Sequence, residues 1–298
     1  MSKHMEVKKE KTSLWIHAFF ILFAAICIIP FIIVISASLS NEKDLIINGY
    51  SVLPRTIDWT AYMYIFKNPS VIGNAYLVTL FITVAGTFLT VLFTAMMAYA
   101  LSRPQFKLKK AMTFIIFFPT LFSGGLVPSY IINSQYLHLT DSLWALILPG
   151  ITNVFYIIMV RTFFKQLPDG LFEAAKIDGA NEYRIFFRIA LSLSKPVLAT
   201  VAFLTALGKW NEWYSAMLYI RNPDLYPLQY LLQSMMLKIQ SVLKMMTTAP
   251  SMTGSMTSMP SETLRMAMVV VATGPMLIFF PFFQKYFTKG MTMGSIKG

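Results

Sequence analysis

The sequence has little charge and almost no cysteine. Only 13% of its 298 residues are Asp, Glu, Lys or Arg, about half of the share typical of soluble proteins. Together with 56% hydrophobic residues and a mean hydropathy of +0.60, this excludes a disordered chain and disfavours a water-soluble enzyme. The single cysteine, Cys27, has no partner for an internal disulfide, which disfavours redox chemistry. The composition is that of an integral membrane protein.

Motifs for catalysis and nucleotide binding are also missing. The three histidines are scattered, no H-E-x-x-H occurs, and no residues have the spacing of a metal site or an activated nucleophile. A G-x-x-x-x-G-K-[ST] phosphate loop is absent, since Gly208-Lys209 is followed by Trp210. We therefore expect no enzyme, no metal and no cofactor, and we expect any ATP hydrolysis to lie in a separate polypeptide.

Long uncharged runs predict an all-α, polytopic membrane protein with six transmembrane helices, because about 20 apolar helical residues cross a bilayer. The predicted spans are residues 15–38, 75–101, 111–134, 142–161, 196–220 and 264–284 of a single domain, 1–298. Pro119, Gly124-Gly125 and Pro128 break the third span. The first span begins with basic residues, as a signal peptide does, but it is longer than a signal core, which favours an uncleaved helix.

Lys and Arg residues set the predicted orientation. Most of the 25 lie in the N-terminal segment, the turn after span 2, the loop 162–195 and the C-terminal tail, which six crossings place on one side. Short cytoplasmic loops are enriched in these residues, so both termini are predicted to be cytoplasmic in a multi-pass protein of the cell membrane, in contact with lipid. The extracytoplasmic loops are then 41–70 and 221–262. The net charge of +12 follows from topology, and no nucleic-acid partner is expected.

The cytoplasmic loop 162–195 has the pattern of a helical hairpin. Asp169 can cap a short helix over 171–178, and Gly179 can end it in the left-handed conformation. Asn181 can open a second helix. The apolar face of that helix consists of Tyr183, Phe186, Phe187, Ala190 and Leu191, beside a basic stripe of Arg184 and Arg188. Two interpretations fit: an amphipathic helix on lipid headgroups, or a knob that docks into a groove of a soluble partner.

The same loop resembles the EAA loop of ABC importer permeases. The matching stretches are Glu173-Ala174-Ala175, Asp178-Gly179-Ala180, Phe186-Phe187-Arg188-Ile189 and Ser194-Lys195-Pro196. Downstream, Trp210-Asn211-Glu212-Trp213 resembles the W-N-E-[FW] stretch of carbohydrate-uptake permeases of the maltose type. The segments 227–232 and 281–298 are similar to the oligosaccharide and polysaccharide branch. Leu191-Ser192 departs from the family's L-P-L-S-x-P pattern by lacking its first proline, which allows the second hairpin helix to run further.

The resemblance implies a transport subunit rather than an enzyme. The hairpin 169–191 would be the coupling helix, seated in a cleft of an ATPase whose closure tips the pore from inward- to outward-facing. The implied ATPase-coupling residues are Glu173, Ala174, Ala175, Asp178, Gly179, Ala180, Phe186 and Arg188. The implied partners are a second, different permease subunit in a heterodimer, two cytoplasmic ABC ATPase subunits, an extracytoplasmic solute-binding protein and a carbohydrate, by its branch an oligosaccharide.

Aromatic and polar residues of the spans are candidates for a sugar pathway, because sugar C–H faces rest on aromatic rings while hydroxyls need amide and carboxylate partners. The candidates are Trp210, Asn211, Glu212, Trp213, Tyr214, Asn153, Tyr156 and Tyr130, with Asn133 beside them. Each alone also fits core packing or an interface anchor. Outside the membrane, residues 228–237 predict an amphipathic helix and 245–260 a flexible stretch. With Trp59, Tyr62 and Tyr64, these would face the solute-binding protein or sit among the outer headgroups.

Lys209 and Glu212 are charged residues inside the fifth span, where each charge costs about 2.5–3.5 kcal/mol on insertion scales. Their spacing of three lets them pair on one helix face. Packing as an ion pair and lining a cavity both remain open. A third interpretation is an ion-coupled secondary transporter with both residues as a relay, but the scarcity of intramembrane carboxylates and the lack of a duplicated six-span half disfavour it.

Overall fold

The computed structural model describes the backbone of residues 14–248 and 261–292, and the side chains of 16–242, 244, 261–279 and 281. Within these ranges the chain is mostly helical and has no β-strand, only an antiparallel bridge between Ser40 and Ile57. The helical fold class expected from the sequence is confirmed.

The helices of the described residues are numbered in chain order. They are α1 (Leu14–Ser38), α2 (Glu42–Asn48), α3 (Thr60–Ile65), α4 (Pro69–Ser102), α5 (Lys109–Leu121), α6 (Leu126–Ile131), α7 (Trp144–Ile147), α8 (Val154–Phe164), α9 (Asp169–Ile177), α10 (Glu182–Arg184), α11 (Leu191–Leu193), α12 (Lys195–Trp210), α13 (Tyr214–Tyr219), α14 (Leu228–Thr248) and α15 (Glu262–Thr292). Two π-helical segments, Ile132–Tyr136 and Ile185–Ala190, continue α6 and α10, and 3₁₀ turns occupy Leu148–Gly150 and Pro223–Leu225.

Three of the described helices are long and apolar enough to cross a membrane: Ile16–Ser38, Pro69–Ser102 and Glu262–Phe279. Three bent helix pairs raise the number of candidate spans to six if each pair counts as one crossing. These pairs are Lys109–Leu121 with Leu126–Tyr136, Trp144–Gly150 with Val154–Phe164, and Glu182–Leu193 with Lys195–Trp210. The chain is therefore a membrane protein with three to six candidate spans.

Breaks in the third and fourth predicted spans lie where the sequence places proline and glycine. Helix α5 ends two residues after Pro119, and Gly125 then takes φ +84°, a left-handed conformation that suits glycine, so the chain turns by 117°. In the fourth span the 3₁₀ turn Leu148–Gly150 ends the first half, and the Asn153 side chain accepts from the Tyr156 N–H to start α8 at an angle of 53°. The sequence predicts the first of these breaks.

The chain divides into two compact units, residues 1–67 with 239–271 and residues 68–238 with 272–298. The single domain expected from the sequence stays a prediction. In the second unit, small residues of α4 let the neighbouring helices α8 and α12 pack closely against it. Residues from α4, α8 and the segment 172–201 share one buried apolar cluster there. Helices α7 and α13 share another with Ile82 of α4.

In the first unit, one carboxylate caps the beginning of α15. Glu42 accepts hydrogen bonds from the backbone N–H groups of Ser261, Glu262 and Thr263 at 3.0, 3.0 and 2.9 Å, and from the hydroxyls of Ser261 and Thr263 at 3.1 and 2.7 Å. The first N–H groups of a helix have no partner within the helix, so an anion at this position stabilises it.

Helix α14 confirms the amphipathic helix predicted over 228–237 and extends it to Thr248. Its buried residues recur at helical spacing: Leu228, Leu231, Leu232, Met236 and Ile239. Of the stretch predicted to be flexible, residues 245–248 are helical, and the rest lies outside the described residues. In the loop 41–70, the Trp59 and Tyr62 rings are 5.8 Å apart, and the Tyr62 hydroxyl shares a 2.8 Å hydrogen bond with Ser38.

Candidate functional site

The loop 162–195 forms two helices joined by a tight turn, as its sequence predicts. Helix α9 ends at Ile177, Gly179 takes φ +77°, and the N–H groups of Gly179 and Ala180 donate to the carbonyls of Lys176 and Ala175 at 3.0 and 2.9 Å. This crossed pair of bonds is the usual glycine-terminated helix end, and it satisfies two carbonyls that would otherwise be unpaired. A Cβ at residue 179 would meet no atom within 4 Å, so only backbone conformation demands glycine there.

The second half of the hairpin starts and ends close to the predicted places. The Asn181 side chain accepts from the Arg184 N–H at 2.9 Å, so the predicted cap is present. Helical structure then continues to Leu193, consistent with the missing proline, and the chain turns by 80° into α12. Asp169 differs from expectation, because α9 begins at Asp169 itself and this residue is not the cap. Its carboxylate lies in the first turn, where a negative charge interacts favourably with the helix dipole.

The predicted apolar face of the second hairpin helix is divided by the structure. Phe186 and Ala190 are buried with Phe172 in the core cluster against α4, α8 and α12, whereas Tyr183 and Phe187 are exposed. An amphipathic helix on lipid headgroups would turn this whole face toward lipid. Here the inner half of the face packs onto the protein.

The outer surface of the hairpin carries most of the predicted coupling residues. Glu173, Ala174, Asp178, Gly179 and Arg188 are exposed, Ala175 and Ala180 are half-buried, and Phe186 is buried. Sequence reasoning missed Ile177, whose side chain is 87% exposed beside the Gly179 turn. Its signal in the sequence is an isoleucine at the end of a helix that is predicted to be exposed, and its contact with a partner stays a prediction.

The segment 210–214 is divided between packing and exposure. Trp210 is buried, and its indole N–H donates to the Ala272 carbonyl at 2.9 Å. Asn211 is exposed and accepts from the Gln229 amide at 3.2 Å, while Glu212 accepts from the Ser215 N–H at 2.9 Å and caps α13. Trp213 and Tyr214 are exposed, and their ring centroids are 5.7 Å apart. The structure thus gives Trp210 a packing role and leaves the other aromatic pair accessible.

The other pathway candidates fall into two places. Asn153 is exposed and caps α8, and Tyr156 is half-buried against the core cluster. Tyr130 stacks on Tyr219 with ring centroids 5.7 Å apart, and the Asn133 amide donates to the Tyr219 hydroxyl at 3.3 Å. Tyr219 therefore joins Tyr130 and Asn133, a role that no local sequence signal indicates. All eight pathway assignments stay predictions.

Lys209 makes no ion pair with Glu212 among the residues that the structure describes, so the pairing considered from their spacing is absent. The Lys209 ammonium instead donates to the carbonyls of Leu146 and Ile147 at the end of α7. The side chain is only 8% exposed, and it packs against Gly86 and Gly150, where an added Cβ would lie 3.2 Å from Cε and 3.1 Å from Nζ, respectively. A cation at unpaired carbonyls of a helix end is favourable, which explains a lysine inside a span.

Comparisons with known proteins agree with this architecture. The chain is 39% identical to the polygalacturonan/rhamnogalacturonan transport system permease protein YtcP of Bacillus subtilis (strain 168), covering 98% of this chain and all of that protein. It is 40% identical to protein LplC of the same organism, over 92% and 90% of the two chains.

Its fold is similar to a chain in the crystal structure of a bacterial ABC transporter involved in the import of the acidic polysaccharide alginate. The TM-score is 0.77, with 30% identity over 92% of this chain and 95% of that one. Residues 91–293, more than half of the chain, match the family described as binding-protein-dependent transport system inner membrane component. The chain belongs to this family of transport-system membrane components, and it is similar to members that are permeases of sugar and oligosaccharide ABC transporters.

Proposed function

We propose that this chain is one transmembrane permease subunit of an ATP-driven importer of oligosaccharides. It forms the translocation pathway with a second, homologous but different permease. Two cytoplasmic ATPase subunits drive it through the hairpin 169–191, and an extracytoplasmic solute-binding protein delivers the sugar. The observation that carries this proposal is the hairpin: its inner face is buried in the core cluster, while Glu173, Ala174 and Ile177 are exposed on its outer surface. An ordered knob with an apolar tip suits a groove on a partner.

For the topology, we propose six spans with both termini in the cytoplasm. The bent pairs Lys109–Leu121 with Leu126–Tyr136 and Trp144–Gly150 with Val154–Phe164 each count as one crossing. Helix α12 begins the predicted fifth crossing, 196–220, and Glu182–Leu193 stays in the cytoplasmic hairpin. Irregular backbone is tolerated at membrane depth where protein or a water-filled cavity surrounds it. Two helices separated by a proline or glycine break can therefore form one crossing, which supports this count. The excess of Lys and Arg in the hairpin loop and the terminal segments supports the orientation.

For the substrate, we propose an acidic, uronate-containing oligosaccharide. Two similar proteins support this choice: one is named for polygalacturonan and rhamnogalacturonan, the other belongs to an alginate importer. The exposed Trp213–Tyr214 pair offers aromatic surface for sugar rings. We do not retain the ion-coupled alternative, since Lys209 is held by carbonyls and Glu212 by a backbone N–H, an arrangement that favours a structural role for both.

Uptake into proteoliposomes tests the proposal. The chain is co-expressed with a second permease, an ATPase and a solute-binding protein from the same genome, and uptake of oligogalacturonides is compared with that of uncharged oligosaccharides of equal length. We expect uptake only with ATP and the binding protein, and a preference for the acidic sugar. Gly179→Asp and Glu173→Lys should abolish uptake and leave membrane insertion intact. Uptake by this chain alone under an ion gradient would refute the importer, and a preference for uncharged sugars would refute the substrate class only.

A further inference from the structure

We propose that Arg103, at the cytoplasmic end of α4, is a positioning residue that clamps the hairpin 169–191 to α4, so that movement of the hairpin is passed to that span. The inference rests on the proposed function, because it assumes that an ATPase moves the hairpin. It assigns a role to a residue outside the EAA stretch and outside the hairpin.

The clamp consists of one guanidinium between two aromatic rings. The Arg103 guanidinium carbon lies 3.5 Å from the ring centroid of Phe172 in α9 and 4.5 Å from that of Tyr99 in α4. Phe172 is 4% exposed, although it belongs to a hairpin whose outer surface is exposed. The first hairpin helix is therefore held to α4 through this stacked contact.

The guanidinium interacts with the Tyr99 hydroxyl and with the charge of Glu182, but part of it lacks hydrogen-bond partners, which makes the rings important to it. Its Nε and Nη2 atoms are buried and make no hydrogen bond within the described part of the chain. A cation away from water is stabilised by the negative face of an aromatic ring, and more strongly when desolvated. Arginine suits this place because its planar group stacks flat on a ring, whereas the compact ammonium of lysine is strongly hydrated and cannot.

A second link joins the other hairpin helix to the same turn of α4. The Tyr99 hydroxyl donates to the Glu182 carboxylate at 2.7 Å, and that carboxylate pairs with Lys176 of α9 at 2.8 Å. Tyr99 also contacts Phe186, with ring centroids 5.1 Å apart. Tyr99 and Arg103 are four residues apart, on one face of the helix end, so both hairpin helices are attached to a single site.

The attachment matters because α4 is the central helix in the packing of the second unit. It packs against α8 and α12, and Trp210 is the last residue of α12. A hairpin joined to α4 by a rigid contact moves the span with it, whereas a hairpin joined loosely can follow the ATPase while the span stays in place.

The test measures sugar transported per ATP hydrolysed by the assembled importer in proteoliposomes. Arg103→Lys keeps the charge and removes the stacking, Phe172→Leu removes the ring face, and Phe172→Tyr keeps it. Lys107→Met, in the same cytoplasmic turn, is the matched control for the basic charge. We expect about a tenfold lower transport-to-ATP ratio in Arg103→Lys and Phe172→Leu, which is within the range of a partly desolvated cation–π contact. The ratio should be unchanged in Phe172→Tyr and Lys107→Met.

The double variant Arg103→Lys/Phe172→Leu should lose no more than either single variant, since both remove one contact. A merely structural role would lower the yield of assembled complex and leave this ratio intact. Should Arg103→Lys fail to assemble, the two Phe172 variants decide. A transport-to-ATP ratio that is lower in Phe172→Leu and unchanged in Phe172→Tyr supports the clamp, and an equal ratio in both variants overturns it. A wild-type complex without ATP-dependent uptake would refute the proposed function, whereas a coupled wild type with equally coupled variants refutes the clamp alone.

Discussion

At the scale of single residues, Glu42 shows how a charge far away in sequence completes a helix end. Burial raises the pKa of the Glu42 carboxyl, but hydrogen bonds from Glu262, Thr263 and Ser261 outweigh burial, so its pKa lies below the ordinary value of 4.5. The ionised form is therefore the one that the folded protein prefers. Its contribution to stability is fully present above the unfolded pKa and is lost as the pH falls through the folded pKa.

We accordingly predict that Glu42→Gln lowers the free energy of unfolding by about 1 kcal/mol at pH 7, as expected for loss of a charged helix cap. Thermal unfolding of the detergent-solubilised protein, followed from pH 7 down to pH 3, measures this. The difference between the wild type and Glu42→Gln should shrink below pH 4.5 as the native carboxylate becomes protonated. Asp224→Asn, at an exposed carboxylate, is the control and should show little difference at any pH. A gap of constant size across the range would contradict the capping role of the charge.

At the scale of elements, the end of α7 is bonded by a side chain from α12. Lys209 supplies donors to two carbonyls at the end of α7, and the absence of side chains at Gly86 and Gly150 makes room for it. The hairpin, in contrast, is set by its own sequence, because the Gly179 turn and the Asn181 cap use only neighbouring atoms. The end of α7 therefore depends on a tertiary contact, whereas the turn of the hairpin depends on residues that are close in the sequence.

We predict that Gly150→Ala destabilises the wild-type chain by about 1–3 kcal/mol, the usual cost of overpacking, because the new Cβ would press on the Lys209 ammonium. In a Lys209→Met background, which keeps the apolar stem and lacks the ammonium, the same change should cost little. Melting temperatures of the four proteins complete the cycle. Gly208→Ala is the control, since a Cβ there meets no atom within 4 Å. Equal losses from Gly150→Ala in both backgrounds would show that the lysine is not what the glycine accommodates.

At the scale of the whole molecule, the distribution of Lys and Arg predicts an orientation that can be measured directly. In a Cys27→Ser background, Ile177→Cys at the hairpin tip should react with a membrane-impermeant maleimide only in inside-out vesicles. Pro223→Cys, in the loop 221–262, should react only in right-side-out vesicles, because the two loops are predicted to face opposite sides. Cys27→Ser itself should stay unlabelled and serves as the control. Labelling of both positions from the same side would refute the single crossing predicted between them, and the orientation with it.

Much of the architecture follows from the sequence alone. Apolar runs, proline and glycine breaks, the Gly179 turn and the Asn181 cap act over a few residues, and the hairpin and the bent third span appear where these signals lie. What the sequence did not reveal involves partners far apart in the chain. Glu42 caps a helix about 220 residues away, and Lys209 bonds carbonyls about 60 residues away, so that its three-residue spacing from Glu212 misled. Only the tertiary structure decided these contacts, because a charge that is buried or partly buried takes whichever partner packing brings within hydrogen-bond distance.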